Sequence, residues 1–183
     1  MKPGPDEPEQ SEWQGKSIVA KRRGSWEYVS RARGVSAAVI LAIDTGEDGD
    51  HVILVEQFRV ALGAQCLELP AGLVGDDQEG EEVEIAAIRE LEEETGYRAE
   101  RMIDLGRFHS SPGMVSEGFT LLRAEGLTRT GDGGGVEGED IVVHRVPLKE
   151  MPEFAEAKRR EGAAMDVRLL LLLAPALMEP PSG

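Results

Sequence analysis

Residues 75–97 read GDDQEGEEVEIAAIRELEEETGY. Placed on a helix at ~100° per residue, Glu90, Glu93 and Glu94 fall within an arc of ~100° on one face. Like charges at i,i+3 and i,i+4 each cost a helix roughly 0.2–0.5 kcal/mol, so three carboxylates on one patch waste stability unless a cation is bound there. Oxygen-only donors suit Mg²⁺ or Mn²⁺, whereas zinc prefers the His or Cys ligands this segment lacks. Thr95-Gly96 follows at once, and a glycine there can take the left-handed conformation that stops a helix. Arg89 and Glu93 are i,i+4 neighbours, so the guanidinium can orient that carboxylate and screen the cluster. Ile85, Ile88 and Leu91 are the apolar stripe expected to dock the helix on a sheet. Val83, Ala86 and Ala87 lie on the acidic side, small enough for another backbone to come close. The bland alternative is a solvated acidic face.

Before this helix come two apolar runs, 35–43 (VSAAVILAI) and 51–58 (HVILVEQF), joined by a Gly- and Asp-rich turn; both read as strands, paired with each other. Arg59 closes the second at the edge of a cleft. Residues 66–69 form a short strand, and the chain past Pro70 is expected to leave the ladder, which frees a carbonyl, most simply that of Ala71, to face a metal. Earlier still, Arg23-Gly24 divides two β-rich arms, a hairpin in need of a partner surface. Trp26 and Tyr28 share one of its faces.

After the helix, 102–109 and 118–124 are strand-like, separated by a turn at Pro112-Gly113. Residues 131–138, GDGGGVEG, lack the strand and helix a phosphate-binding glycine loop requires. They read as a flexible loop, able to swing a carboxylate over a substrate. A strand over 141–146 and a helix over 148–160 follow, with Pro152 in the first turn. The leucine run 169–173 is too short to cross a membrane and reads as a buried C-terminal helix.

The 183-residue chain is long enough for one domain with a small appendage, and its net charge of −15 disfavours nucleic acid and anionic membranes as partners. A single cysteine, Cys66, excludes an internal disulfide framework. The N-terminal MKPGPDEPEQSE has no apolar core, so a cytoplasmic protein without a secretory signal is expected. The three histidines are scattered, and no arrangement supports nucleophilic catalysis.

Written as G-x5-E-x7-R-E-L-x-E-E-x-G-Y, from Gly75, Glu81, Arg89, Glu90, Leu91, Glu93, Glu94, Gly96 and Tyr97, the opening stretch resembles the Nudix box, with its closing aliphatic replaced by Tyr97. Glu56-Gln57-Phe58-Arg59, Leu67-Glu68-Leu69-Pro70-Ala71-Gly72 and Ser111-Pro112-Gly113 extend the likeness to the ADP-ribose pyrophosphatase branch of the Nudix hydrolases. Its distinguishing mark is a proline about fifteen residues past the box, and Pro112 stands fifteen past Tyr97. The resemblance implies an α/β fold, an α/β/α sandwich with a mixed sheet and an N-terminal β-region exchanged between the subunits of a homodimer. Residues 1–14 would then be a disordered tail, 15–34 the dimerisation hairpin and 35–183 the hydrolase domain.

The same resemblance implies Mg²⁺- or Mn²⁺-dependent hydrolysis of ADP-ribose to AMP and ribose 5-phosphate, with two or more ions. The Ala71 carbonyl, Glu90, Glu94 and Glu139 would ligate metal. Glu137 is similar to the loop glutamate that acts as general base in some members; Glu93, oriented by Arg89, takes that role or ligates metal in others. Arg59 would hold a phosphate, Trp26 would clamp the adenine across the dimer, and Pro112 and Gly113 would shape the substrate loop. A second reading is another nucleoside diphosphate sugar such as GDP-mannose. A third is a non-catalytic module sensing ADP-ribose, against which the intact glutamates stand.

Overall fold

Strand alternation sorts the apolar runs onto the two faces of one sheet. In the computed structural model, which describes residues 7–32, 35–75, 80–136 and 138–178, the first seven strands are β1 (Glu9–Gln14), β2 (Ile18–Arg23), β3 (Trp26–Arg31), β4 (Ser36–Gly46), β5 (Gly49–Arg59), β6 (Ala64–Glu68) and β7 (Ala71–Val74). Helix α1 (Val83–Thr95) follows, then β8 (Tyr97–Arg98), β9 (Arg101–Phe108), β10 (Phe119–Glu125), β11 (Thr128–Arg129), β12 (Val142–Pro147), α2 (Met151–Arg160), β13 (Ala164–Met165) and α3 (Leu170–Met178). Ala38, Ile40 and Ala42 of β4 pack with Ala86, Ala87 and Leu91 of α1 on one face. Val39, with Val52 and Leu54 of β5, packs under α2 and α3 through Met151, Ala155, Leu169 and Leu173 on the other. The result is the expected α/β/α sandwich on a mixed sheet, β4 running parallel to β10 and antiparallel to β5 and β7.

The sheet forks at its centre. β4 and β5 pair only near their connecting turn, Ile43 to Gly46 against Gly49 to Val52. Farther along, β5 pairs with β6 and β4 pairs with β7. The chain therefore changes partner at Leu69-Pro70. Proline has no N–H to continue the β6 ladder, while its carbonyl accepts from the Ile40 N–H at 2.8 Å. Residues past Pro70 leave the β6 ladder as expected, but they join a different strand where a turn was expected.

Three other expectations change. Glu9–Gln14, assigned from sequence to a tail, forms β1 and turns the N-terminal hairpin into a three-stranded sheet, tied by Lys21 and Tyr28 to Glu9. Ile85 does not dock α1: it is 56% exposed, and Ala86 and Ala87 join Leu91 and Ile88 in making the contact. Small side chains let the helix approach the sheet closely, and Ile85, ~200° round the helix from Ala87, then faces out. The C-terminal helix buries Leu169 and Leu173 just before and within it, while Leu170 and Leu171 stay exposed. No helix among the described residues is long and apolar enough to cross a membrane.

Candidate active site

The register between β4 and β7 aims the backbone of Ala71 at α1. Because the Ile40 N–H bonds to the Pro70 carbonyl, Val39 and Ala71 form a non-hydrogen-bonded pair, and both polar groups of Ala71 point away from β4. Its N–H meets Glu94 Oε2 at 3.1 Å. Its carbonyl shares that edge. Next to it, the bare Cα of Gly72 faces Glu90: a β-carbon there would lie 2.1 Å from Glu90 Cδ and Cγ and 2.6 Å from Oε1. The strand and the glutamate are in contact only because residue 72 has no side chain.

Glu94 is 7% exposed. Burial first, with Glu90 and Glu139 adding to it, pushes its carboxyl up to about 8 against the opposing Ala71 N–H. A buried carboxylate in this position, among oxygen donors alone, fits a hard divalent cation, which would take the place of its proton. Among the described residues no three acidic, His or Cys side chains are grouped closely enough to hold a metal ion by themselves. The donors are nonetheless within one cavity of about 800 Å³, whose lining includes Ala71, Gly72, Glu90, Glu93, Glu94 and Glu139. Arg89 sits among the acids, 3.0 Å from Glu90 Oε1, 3.2 Å from Glu93 Oε2 and 3.4 Å from Glu81 Oε2. Glu137 lies outside the described residues.

The same cavity is lined by arginines held in place by a buried acid, Glu68, and a half-buried one, Asp166. Arg59 donates through Nε and Nη2 to Glu68 at 2.6 and 2.7 Å, and Glu68 is 2% exposed. Arg168 reaches the same carboxylate at 3.2 Å, while its Nε and Nη2 clasp Asp166 at 2.6 and 2.7 Å. Burial alone would raise the Asp166 carboxyl, yet Arg168 holds it below its usual value. The planar fork of Arg59 is thus pre-aimed for an anion. Glu68→Gln is expected to raise KM roughly 10-fold and leave kcat within about 3-fold, because Arg59 loses a charge-assisted bidentate partner worth about 1.5–3 kcal/mol per bond. Steady-state kinetics check this, and an unchanged KM denies Arg59 its place on the substrate.

Sequence reading quoted Glu68 without giving it a role, though a lone carboxylate between Leu67 and Leu69 in a short strand was a signal. It missed Asp166 and Arg168, which come from a segment distant in sequence with no pattern of their own. Three expected residues are not brought to the cavity. Trp26 opens β3 at 52% exposure and does not line the cavity of its own chain. Pro112 and Gly113 are exposed in their turn, but Ser110 and Glu117, at the ends of the loop, line the cavity. That loop is strapped to β3: the Val29 N–H donates to the Met114 carbonyl and the Ser116 N–H to the Val29 carbonyl, both at 2.9 Å, and Arg31 bonds Glu117 at 2.6 Å.

The NUDIX domain family matches residues 32–165. The chain is 37% identical over 149 residues to the GDP-mannose pyrophosphatase of Cronobacter sakazakii, covering 77% of this chain and 72% of that one. It is 34% identical over 124 residues to the ADP-ribose pyrophosphatase of Bacillus subtilis, covering 67% and 63%. In fold it resembles a solved ADP compounds hydrolase, with a TM-score of 0.64 at 24% identity over 93% of this chain and 91% of that one. A family match that starts just past β3 and runs to β13, together with relatives above 30% identity over most of the chain, shows that the chain belongs to the Nudix domain family.

Proposed function

We propose that this protein hydrolyses the pyrophosphate of ADP-ribose to AMP and ribose 5-phosphate, with Mg²⁺ or Mn²⁺ bound as two or more ions. Family membership and pyrophosphatase relatives make it an enzyme, a Nudix hydrolase. The observation that supports this reading most is one cavity whose wall brings the buried Glu94 and its neighbour Glu90 together with Arg59. A cavity of about 800 Å³ suits a nucleotide sugar.

Glu90, Glu94, Glu139 and the Ala71 carbonyl would hold the ions, which supply Lewis-acid charge to the pyrophosphate oxygens. Arg59, fixed by Glu68, binds and orients a phosphate. Glu93, which lies against Arg89, or Glu137 of the late loop takes the proton of the attacking water. Arg89 keeps the neighbouring glutamates apart and aligned. Pro112 and Gly113 hold the substrate loop in its turn. Trp26, exposed on β3, stacks on the adenine of the partner subunit in a homodimer formed through the N-terminal sheet. The fully exposed β1 and the exposed Trp13 and Ile18 support such an assembly.

GDP-mannose is the second reading, favoured by the relatives that carry that name. A substrate panel at fixed Mg²⁺ separates them: ADP-ribose is expected to give the highest kcat/KM, with AMP released only when metal is present. A higher kcat/KM for GDP-mannose overturns the assignment, and binding without turnover makes the protein a sensor. In the same panel, Glu93→Gln and Glu137→Gln decide the base, since acid–base assistance is worth ~10²–10⁴-fold.

A further inference from the structure

The late glycine loop is not free. Helix α1 ends in Glu92, Glu93 and Glu94 with no basic residue in its last turn, the wrong charge for the negative end of a helix dipole. The last carbonyls of a helix also lack partners within it. Here the Gly96 N–H takes the Glu92 carbonyl at 2.9 Å, and the glycine loop takes the next two. The Gly135 N–H donates to the Glu93 carbonyl at 3.0 Å and the Gly134 N–H to the Glu94 carbonyl at 2.9 Å. Those of Thr130 and Gly131 donate to the Gly96 carbonyl at 2.7 and 3.1 Å. Four amide donors thus close on the end of the helix that carries the acidic cluster.

The contact is backbone on backbone, and it demands glycine. Gly133 has φ +68°, and a β-carbon there would lie 2.4 Å from Thr95 C and 2.6 Å from the Glu94 carbonyl oxygen. Gly135 has φ +81°, and its β-carbon would lie 2.4 Å from Glu139 Oε2. Beyond the clasp the loop turns back: the Val136 N–H holds Glu139 Oε2 at 3.2 Å, and the Glu139 N–H bonds the Val136 carbonyl at 3.0 Å. Hydrogen bonds therefore tie Gly134 and Gly135 to the backbone of Glu93 and Glu94, and the adjoining Val136 to the carboxylate of Glu139.

We propose that Gly133, Gly134 and Gly135 are positioning residues, a backbone clasp that holds Glu139 in register with Glu90 and Glu94 so that one ion can be shared between helix and loop. This extends the metal-site reading above and depends on it. It differs from a mobile glycine linker, which would tolerate alanine.

The test measures Mn²⁺ binding by electron paramagnetic resonance without substrate, amide exchange at Gly134 and Gly135, and thermal unfolding, for wild type, Gly133→Ala, Gly135→Ala and Gly131→Ala. Gly131 has no atom within 4 Å of its would-be β-carbon and serves as the control. Gly133→Ala and Gly135→Ala are expected to weaken Mn²⁺ binding at least 10-fold, in the range for groups that orient metal ligands, with the thermal midpoint lowered by a few degrees because alanine is strained at these positive φ values, and Gly131→Ala indistinguishable from wild type. Gly133→Ala also loses amide protection, because its clash is with the helix itself; should it unfold, Gly135→Ala, whose clash is with the Glu139 side chain, decides alone. Wild-type Mn²⁺ affinity in the folded variants overturns the clasp alone, whereas no Mn²⁺ uptake by wild type overturns the metal site and the clasp with it.

Discussion

Gly72→Ala is expected to lower turnover on the order of 10²-fold or more while the protein melts within about 2 °C of wild type. The added β-carbon would sit 2.1 Å from Glu90 Cδ and Cγ, an overlap that cannot persist. Gly72 carries no positive φ, so alanine brings no backbone strain, and the glutamate side chain can rotate away with little loss of stability. That rotation removes a carboxylate from the wall of the cavity, and a misplacement of about 1 Å in a reacting constellation can cost 10²-fold. Parallel measurement of kcat, Mn²⁺ affinity and thermal midpoint checks the result. Wild-type turnover would show that Glu90 is not needed where the structure puts it.

Glu94→Gln should act on both activity and pH dependence. Loss of a carboxylate from a metal-stabilised pyrophosphate is expected to lower kcat on the order of 10³-fold, about 4 kcal/mol. The pH effect has a definite sign. The folded carboxyl titrates near about 8 against an ordinary 4.5, so between those values the folded, metal-free protein keeps a proton that the unfolded chain has released. Its stability therefore falls as pH rises through that window, by on the order of a few kcal/mol. For a chain of this size the thermal midpoint should drop roughly 5–10 °C between pH 5 and pH 9. Glu94→Gln cannot ionise and should flatten that slope, so that above pH 8 the metal-free variant melts higher than metal-free wild type. Added Mg²⁺ should restore wild type and leave the variant unmoved. Equal slopes in the two metal-free proteins would show that Glu94 is ionised and solvated.

Much of the sandwich was legible because its signals are local. The apolar runs 35–43 and 51–58 mark two central strands, and β4 and β5 do form there. The spacing of Glu90, Glu93 and Glu94 places them on one helix face whatever surrounds it, and all three line the cavity. The stop at Gly96 is likewise local, and its φ of +71° is the left-handed value. Which side of α1 docks was misread at Ile85, since hydrophobicity favours burying an isoleucine whereas the close approach of β7 favours alanine. The glycine run was misread for a related reason: φ freedom is a property of the residue, but the helix carbonyls it binds come from some forty residues earlier in the chain.

The helix, its acidic face and its termination, together with the strands that must be buried on both sides, follow from local spacing, because each depends on residues within a turn or two of one another. The tertiary structure alone decided the fork at Pro70 that turns the Ala71 backbone toward Glu94, the sharing of Glu68 between Arg59 and Arg168, and the closure of the glycine loop on α1. Each of these joins groups far apart along the chain, and their geometry is set by sheet register and close packing.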